Sequence, residues 1–150
     1  MSLNGLFAGI ILSMILNGSI TNLPQQVDET AVNQLSAVMK LENGDNGDRC
    51  LLLTGSVVIN RKNSPKWKGD TIEEVILAKE GPYWQYASKT RNNFKTTEAN
   101  DHIKLLAKYL LIYGPVCPEN VVYQSQIASN GSKLYEKIAT PDGYEYFAYE

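Results

Sequence analysis

Residues 42–67 read ENGDNGDRCLLLTGSVVINRKNSPKW, and the fold turns on how this stretch is divided. Its opening, Glu42 to Asp48, is rich in Gly, Asn and Asp. Those residues tolerate left-handed backbone and bond to their own main chain, so the segment reads as a turn with Asp48 placed to cap the next helix. From Arg49 to Arg61 the sequence RCLLLTGSVVINR is apolar nearly all round. A helix without a polar face is predicted to sit inside the domain, and Gly55 at its middle leaves room for a neighbouring helix to come close. Asn60 and Arg61 are expected at a polar rim, before Ser64-Pro65 breaks the helix.

Upstream, Asp28 precedes a helical stripe of Val32, Leu35, Val38, Met39 and Leu41, and is placed as its N-cap. Glu42 follows Val38 by four residues and Leu35 by seven, so it falls on the apolar face and its carboxyl group starts half-buried. The plainer reading of such a residue is a surface glutamate at a helix end.

Downstream, Thr71 opens a helix TIEEVILA that Gly81-Pro82 is expected to stop. The loop PYWQYAS then sets Tyr83, Trp84 and Tyr86 around Gln85. Rings and a side-chain amide together suit a sugar, whose CH faces pack on rings and whose hydroxyls need donors and acceptors; a loop that caps the core has the same composition. Thr97 precedes a helix from Glu98 to Tyr113 striped by Ile103, Leu106 and Leu110, which Gly114-Pro115 ends. VVYQSQIA and KLYEKIA read as strands joined through Asn130-Gly131, and Pro141-Asp142-Gly143 turns into YEYFAY. The predicted class is α+β, mainly helical with a small antiparallel β element at the end.

The 150 residues suit one core, and 43% hydrophobic with 20% charged residues is an ordinary globular balance. A net charge of −2 and scattered basic residues provide no field for phosphates, so no nucleic-acid partner is expected. His102 is the single histidine, and Asp45 with Asp48 lack the further ligands of a calcium loop, so no metal and no cofactor is expected. Cys50 and Cys117 are too few for a disulfide scaffold, and their pairing is open. Residues 1–24 form a separate apolar segment whose core, Leu6 to Leu16, is shorter than the roughly 20 residues that span a bilayer. With no basic residue before Lys40, it is an atypical export signal, a helix docking on a membrane or particle partner, or a buried helix of the domain.

With these residues in view, the chain resembles the SleB/CwlJ-type cell wall hydrolases, the spore-cortex-lytic enzymes and related phage endolysins, over about Val38 to Phe147. The resemblance rests on an acid at Glu42, the helix ending GSVVINRKNSPKW, then TIEEVI, the Gln-Tyr of PYWQYAS, PENVVYQSQIASNG and the closing YEYF. It implies a lysozyme-like, lytic-transglycosylase-like fold for a catalytic domain over residues 25–150. It also implies cleavage of the peptidoglycan glycan strand between N-acetylmuramic acid and N-acetylglucosamine at the bacterial cell wall. Glu42 takes the place of the family's catalytic glutamate, Gln85 and Tyr86 that of its cleft pair with Trp84 beside them, and Tyr123, Gln124 and Gln126 lie on its substrate-side strand. The NGDNGD after Glu42 departs from the family's Gly-Glu, so a second acid is not carried over, and Ala148-Tyr149 stands where relatives often have a cysteine.

In a transglycosylase one carboxyl group suffices. It protonates the leaving oxygen, then serves as base on the muramic C6 hydroxyl, and to do so it must be neutral before the reaction, which an apolar wall favours. Muramidase hydrolysis needs a second carboxylate, for which Asp45 and Asp48 are nearest in sequence. Two other readings stay open: Cys50 with His102 as a cysteine amidase or endopeptidase pair, and a non-catalytic, particle-associated component that binds glycan without cutting it.

Overall fold

The computed structural model describes residues 3–128 and 131–150, so the Asn130 half of the expected Asn130-Gly131 turn lies outside the described residues. Its centre is the helix expected to be buried. This helix, α3, spans Gly47–Asn63, and every residue from Cys50 to Arg61 is buried. The cap is Asn46, not Asp48. Asp48 sits inside the first turn, where its Oδ1 meets His102 Nε2 at 2.8 Å and so serves a different partner.

The helix α2 (Glu29–Asn43) begins as expected, with the Asp28 carboxylate accepting from Thr30 N at 3.0 Å. By contrast α6, Asp101–Tyr113, begins three residues later than Glu98 because the Asn100 side chain accepts from Ile103 N at 2.9 Å and captures the cap position from Thr97. α2 and α6 pack on α3, and Gly55 is the reason they fit. A Cβ there would lie 2.5 Å from Leu110 Cδ1 and 3.0 Å from Met39 Sδ.

A short helix, α4 (Ile72–Ile76), is held by a capping box in which Thr71 Oγ1 accepts from Glu74 N and Glu74 Oε2 accepts from Thr71 N, each at 3.2 Å. It stops before the expected Gly81-Pro82. That dipeptide instead turns a small hairpin between β1 (Lys79–Glu80) and β2 (Tyr83–Trp84), with Gly81 at φ 58°. The aromatic loop then enters a helix that the sequence pattern did not announce, α5 (Ser88–Asn93).

The C-terminal element is one antiparallel sheet of β3 (Val121–Ser125), β4 (Leu134–Thr140) and β5 (Gly143–Tyr149), in the order β3-β5-β4. β3 ends three residues short of the VVYQSQIA run. Phe147 anchors the sheet against Cys50, Leu53 and Val57 of α3. The register pairs Phe147 with Gln124 and Ile138 with Glu145. Since faces alternate along a strand, Glu145 and Gln124 share the face of Phe147 that turns toward the helices.

Asn60 and Arg61 do not form a polar rim. Both are buried. Asn60 Nδ2 donates to Pro118 O at 2.8 Å and to Val121 O at 3.0 Å, and Arg61 Nε donates to Val122 O at 2.7 Å. They fasten the sheet to α3 through carbonyls that the ladder leaves over.

At the other end, α1 (Leu3–Leu16) lies along α6. Tyr109 donates its hydroxyl hydrogen to Ala8 O at 3.1 Å and Phe7 meets Tyr113 edge-on at 6.4 Å. Ile15 is buried, while Leu3, Leu6, Phe7, Ile10 and Leu16 are exposed. Among the described residues, no helix is long and apolar enough to cross a membrane. The fold is α+β.

Candidate functional site

Glu42 stands in the last turn of α2, half-buried, as its position on the apolar stripe predicted. Its Oε1 accepts a short hydrogen bond from the hydroxyl of Thr90, a buried residue of α5. α5 has too few apolar residues to leave a periodic signal, so neither the helix nor Thr90 was legible in the sequence.

Beside Glu42 lies Tyr86, 7% exposed. Burial pushes its phenol up from the ordinary value; the Arg61 charge pulls the other way and the Glu42 carboxylate adds to the rise. The Arg61 guanidinium carbon is 5.1 Å from the Tyr86 ring centroid and 4.6 Å from that of Trp67. Trp67 in turn meets Tyr123 edge-on at 5.7 Å. One cation thus binds two rings and a strand carbonyl, which fixes the aromatic wall in place.

A second carboxyl group closes the site from the sheet. Glu145 is 4% exposed. Burial raises its pKa above the ordinary glutamate value; the facing amide of Gln124 favours the charged form, the Glu42 charge opposes it, and the Asn43 amide favours it again. Asn43 is itself fixed, donating from Nδ2 to Thr54 Oγ1 at 2.8 Å.

Among the described residues, the buried side-chain polar atoms without a hydrogen-bond partner are Trp67 Nε1, the Tyr86 hydroxyl oxygen and both amide atoms of Gln124; Gln124 lies near enough to Glu145, and Arg61 to Tyr86, to act on their charge, but outside hydrogen-bond geometry. All belong to this neighbourhood. Buried polar groups are almost always satisfied, so three such side chains near one another set this neighbourhood apart from the rest of the described residues.

No family model, curated protein or solved structure matches this chain.

The remaining candidates divide. Tyr123 and Gln85 line a depression of about 190 Å³ together with Trp67 and Glu150, so they extend the wall outward. Gln85 Nε2 donates to Glu80 Oε2 at 3.2 Å. Trp84 stands apart, 43% exposed, with Lys79 Nζ at 4.2 Å and Arg91 Cζ at 4.1 Å from its ring centroid. Gln126 is exposed beyond the end of β3. The structure therefore gathers Glu42, Tyr86 and Gln124, adjoins Tyr123 and Gln85 through Trp67, and separates Trp84 and Gln126.

Neither acid close to Glu42 in sequence joins it as a partner: Asp45 is exposed in the turn and Asp48 meets His102. Cys50 is fully buried, and burial, with Glu145 and Glu136 adding to it, pushes its thiol up to about 12. A thiol so placed is not a nucleophile at neutral pH. With His102 turned to Asp48, the cysteine-enzyme reading loses both of its members. Both cysteines are free.

Proposed function

We propose that this protein cleaves the glycan strands of peptidoglycan between N-acetylmuramic acid and N-acetylglucosamine, as a lytic transglycosylase of the SleB/CwlJ type with a lysozyme-like catalytic domain. The observation that carries the reading is the company Glu42 keeps: a half-buried carboxyl group beside unpartnered amide, phenol and indole groups on an aromatic wall. An amino sugar offers what that wall lacks, namely hydroxyls and an N-acetyl group that both donate and accept, and CH faces that pack on rings.

In this reading Glu42 gives its proton to the glycosidic oxygen and then takes one from the muramic C6 hydroxyl, which closes on the anomeric carbon to leave a 1,6-anhydro end. Thr90 holds the carboxyl group in one rotamer between the two steps. Tyr86, Trp67 and Gln124 bind and orient the sugars, with Tyr123 and Gln85 engaging the strand further along.

The test is mass spectrometry of fragments released from purified peptidoglycan by the wild type and by Glu42→Gln. Fragments ending in 1,6-anhydromuramic acid are expected from the wild type and a loss of about 10²–10⁴-fold from the variant, the range for removing a proton-transfer group. Ordinary reducing ends would make it a hydrolase. Binding without release of any fragment would leave a glycan-binding component and reject the enzyme.

A further inference from the structure

The net charge of −2 conceals an uneven distribution. Residues 61–95 carry eight of the fourteen lysines and arginines but only four of the sixteen acids. Some of these cations are committed: Arg61 and Arg91 donate to the carbonyls of Val122 and Tyr86, and Lys95 meets Glu73. Lys66, Lys68 and Lys79 instead come together on the depression of about 190 Å³ that Trp67, Tyr123 and Gln85 also line. Two carboxylates share that lining, and both are engaged. Glu150 meets Lys66 Nζ at 3.1 Å, and Glu80 accepts from Gln85 Nε2 at 3.2 Å. Lys79 has a ring and no anion, its Nζ standing 4.2 Å from the Trp84 centroid. Lys68 is exposed and, among the described residues, makes no hydrogen bond, ion pair or ring contact. Of the acids that follow it in sequence, Glu73 is turned to Lys95 and Glu74 to the backbone of Asp70 and Thr71. The Trp67 indole N–H is buried without an acceptor.

Ammonium and indole groups donate and do not accept, so what this lining lacks is an acceptor, and an anionic one answers two unspent charges at once. A strand of N-acetylated sugars has no charge to offer. The peptide that hangs from the lactyl group of its muramic acid does, through free carboxylates. Resting on the glycan-cleaving reading, we propose that the depression at Lys68 and Lys79 is a subsite for a carboxylate of that peptide, so that the protein prefers peptide-bearing strands to bare ones. The position suits the role. Arg61 lies 5.1 Å from the Tyr86 centroid and 4.6 Å from that of Trp67, and Trp67 meets Tyr123 at 5.7 Å, so the depression continues the aromatic wall away from Tyr86. A sugar lying on that wall brings its substituent to the lysines. Lysine also fits a group on a flexible tether, because a point charge on a long stem follows its partner and demands no fixed geometry. A phosphate on a polymer attached to the same strand presents the same oxyanion chemistry, and the two sources are separable.

The test follows the Trp67 indole NMR signal, assigned against Trp84→Phe, in Glu42→Gln protein so that no probe is cut. Three probes are titrated: a disaccharide of N-acetylglucosamine and N-acetylmuramic acid bearing an alanyl-glutamate dipeptide, the same disaccharide without the dipeptide, and inorganic phosphate. The dipeptide-bearing probe is expected to shift the signal and to bind about 3–30-fold more weakly when Lys68→Gln and Lys79→Gln are added, the range for two exposed charge pairs. Its binding is also expected to weaken as salt rises, while the bare disaccharide binds both proteins alike. Equal affinity of the dipeptide-bearing probe for both proteins, with circular dichroism establishing that both are folded, overturns the subsite. A lysine-dependent shift with phosphate and none with the dipeptide also overturns it, in favour of a phosphate-bearing polymer. Fragment release then separates the subsite from the reaction, using peptide-bearing and bare strands freed of phosphate polymers, with Glu42 intact. A loss in Lys68→Gln/Lys79→Gln confined to peptide-bearing strands supports the subsite; the wild-type ratio between the two substrates overturns it and leaves glycan cleavage standing. Lysine-dependent binding without fragments from the wild type leaves the subsite standing and rejects the glycan-cleaving reading.

Discussion

Asn60 and Arg61 illustrate how a residue's environment decides between chemistry and architecture. Both belong to the helix ending GSVVINRKNSPKW on which the resemblance rests, yet each spends its donors on main-chain carbonyls of β3 or of the segment leading into it. Replacing Asn60 with Ala leaves the carbonyls of Pro118 and Val121 without that donor, the second of them in a buried place. A loss of about 1–3 kcal/mol in urea unfolding is expected. If the protein cleaves glycan as proposed, its folded fraction should release the same products, which fragment analysis checks. At this scale periodicity reached Glu42 on its stripe, while Tyr86 and Gln124 were singled out through the resemblance and not through any stripe. It was silent on Thr90, because six polar residues of α5 carry no stripe. Glu145 was legible in principle, since alternation through YEYFAY places it with Phe147.

Among the elements, α3 was the most legible and the most constrained. A run buried on every side leaves only one place in a single-core domain, and Gly55 records how close α6 comes. Gly55→Ala inserts a methyl group against Leu110 and Met39, both buried, and is expected to cost about 1–3 kcal/mol despite the better helix propensity of alanine. Chemical denaturation with far-ultraviolet circular dichroism checks the sign: propensity alone predicts a gain, overpacking a loss. Element boundaries were harder to read. Thr97 and Asn100 compete for one cap, and Gly81-Pro82 serves a hairpin as well as it would end a helix, so composition could not choose between them.

Across the molecule, the site joins two clusters of apolar residues. One is the helical core that positions Glu42, and the other is the smaller cluster between α3 and the sheet that positions Glu145. That junction has an energetic signature. With its pKa raised above the ordinary 4.5, folded Glu145 binds its proton more tightly than the unfolded chain does. Between those two values the folded state holds more protons, so this group's contribution to stability is present at low pH and lost as pH rises through the folded value. Glu145→Gln removes the dependence. Above that window it is expected to melt at a higher temperature than the wild type, and below it at a similar one, as calorimetry across pH would record.

The position of β5 in its sheet has a further consequence, in the time over which the protein is made. β5 is the middle strand, flanked by β3 and β4, and it follows every other described element along the chain. Chains begin to fold from their N-terminal portions while they are being synthesised. Every described helix, the one that bears Glu42 included, therefore emerges before β3 has the strand it pairs with and before Gln124 has Phe147 opposite. A nascent chain therefore carries Glu42 on a finished helix while β3 still lacks the strand that pairs with it. By the same arrangement, a cut in the hairpin between β4 and β5 would free the middle strand of the sheet while leaving every described helix whole.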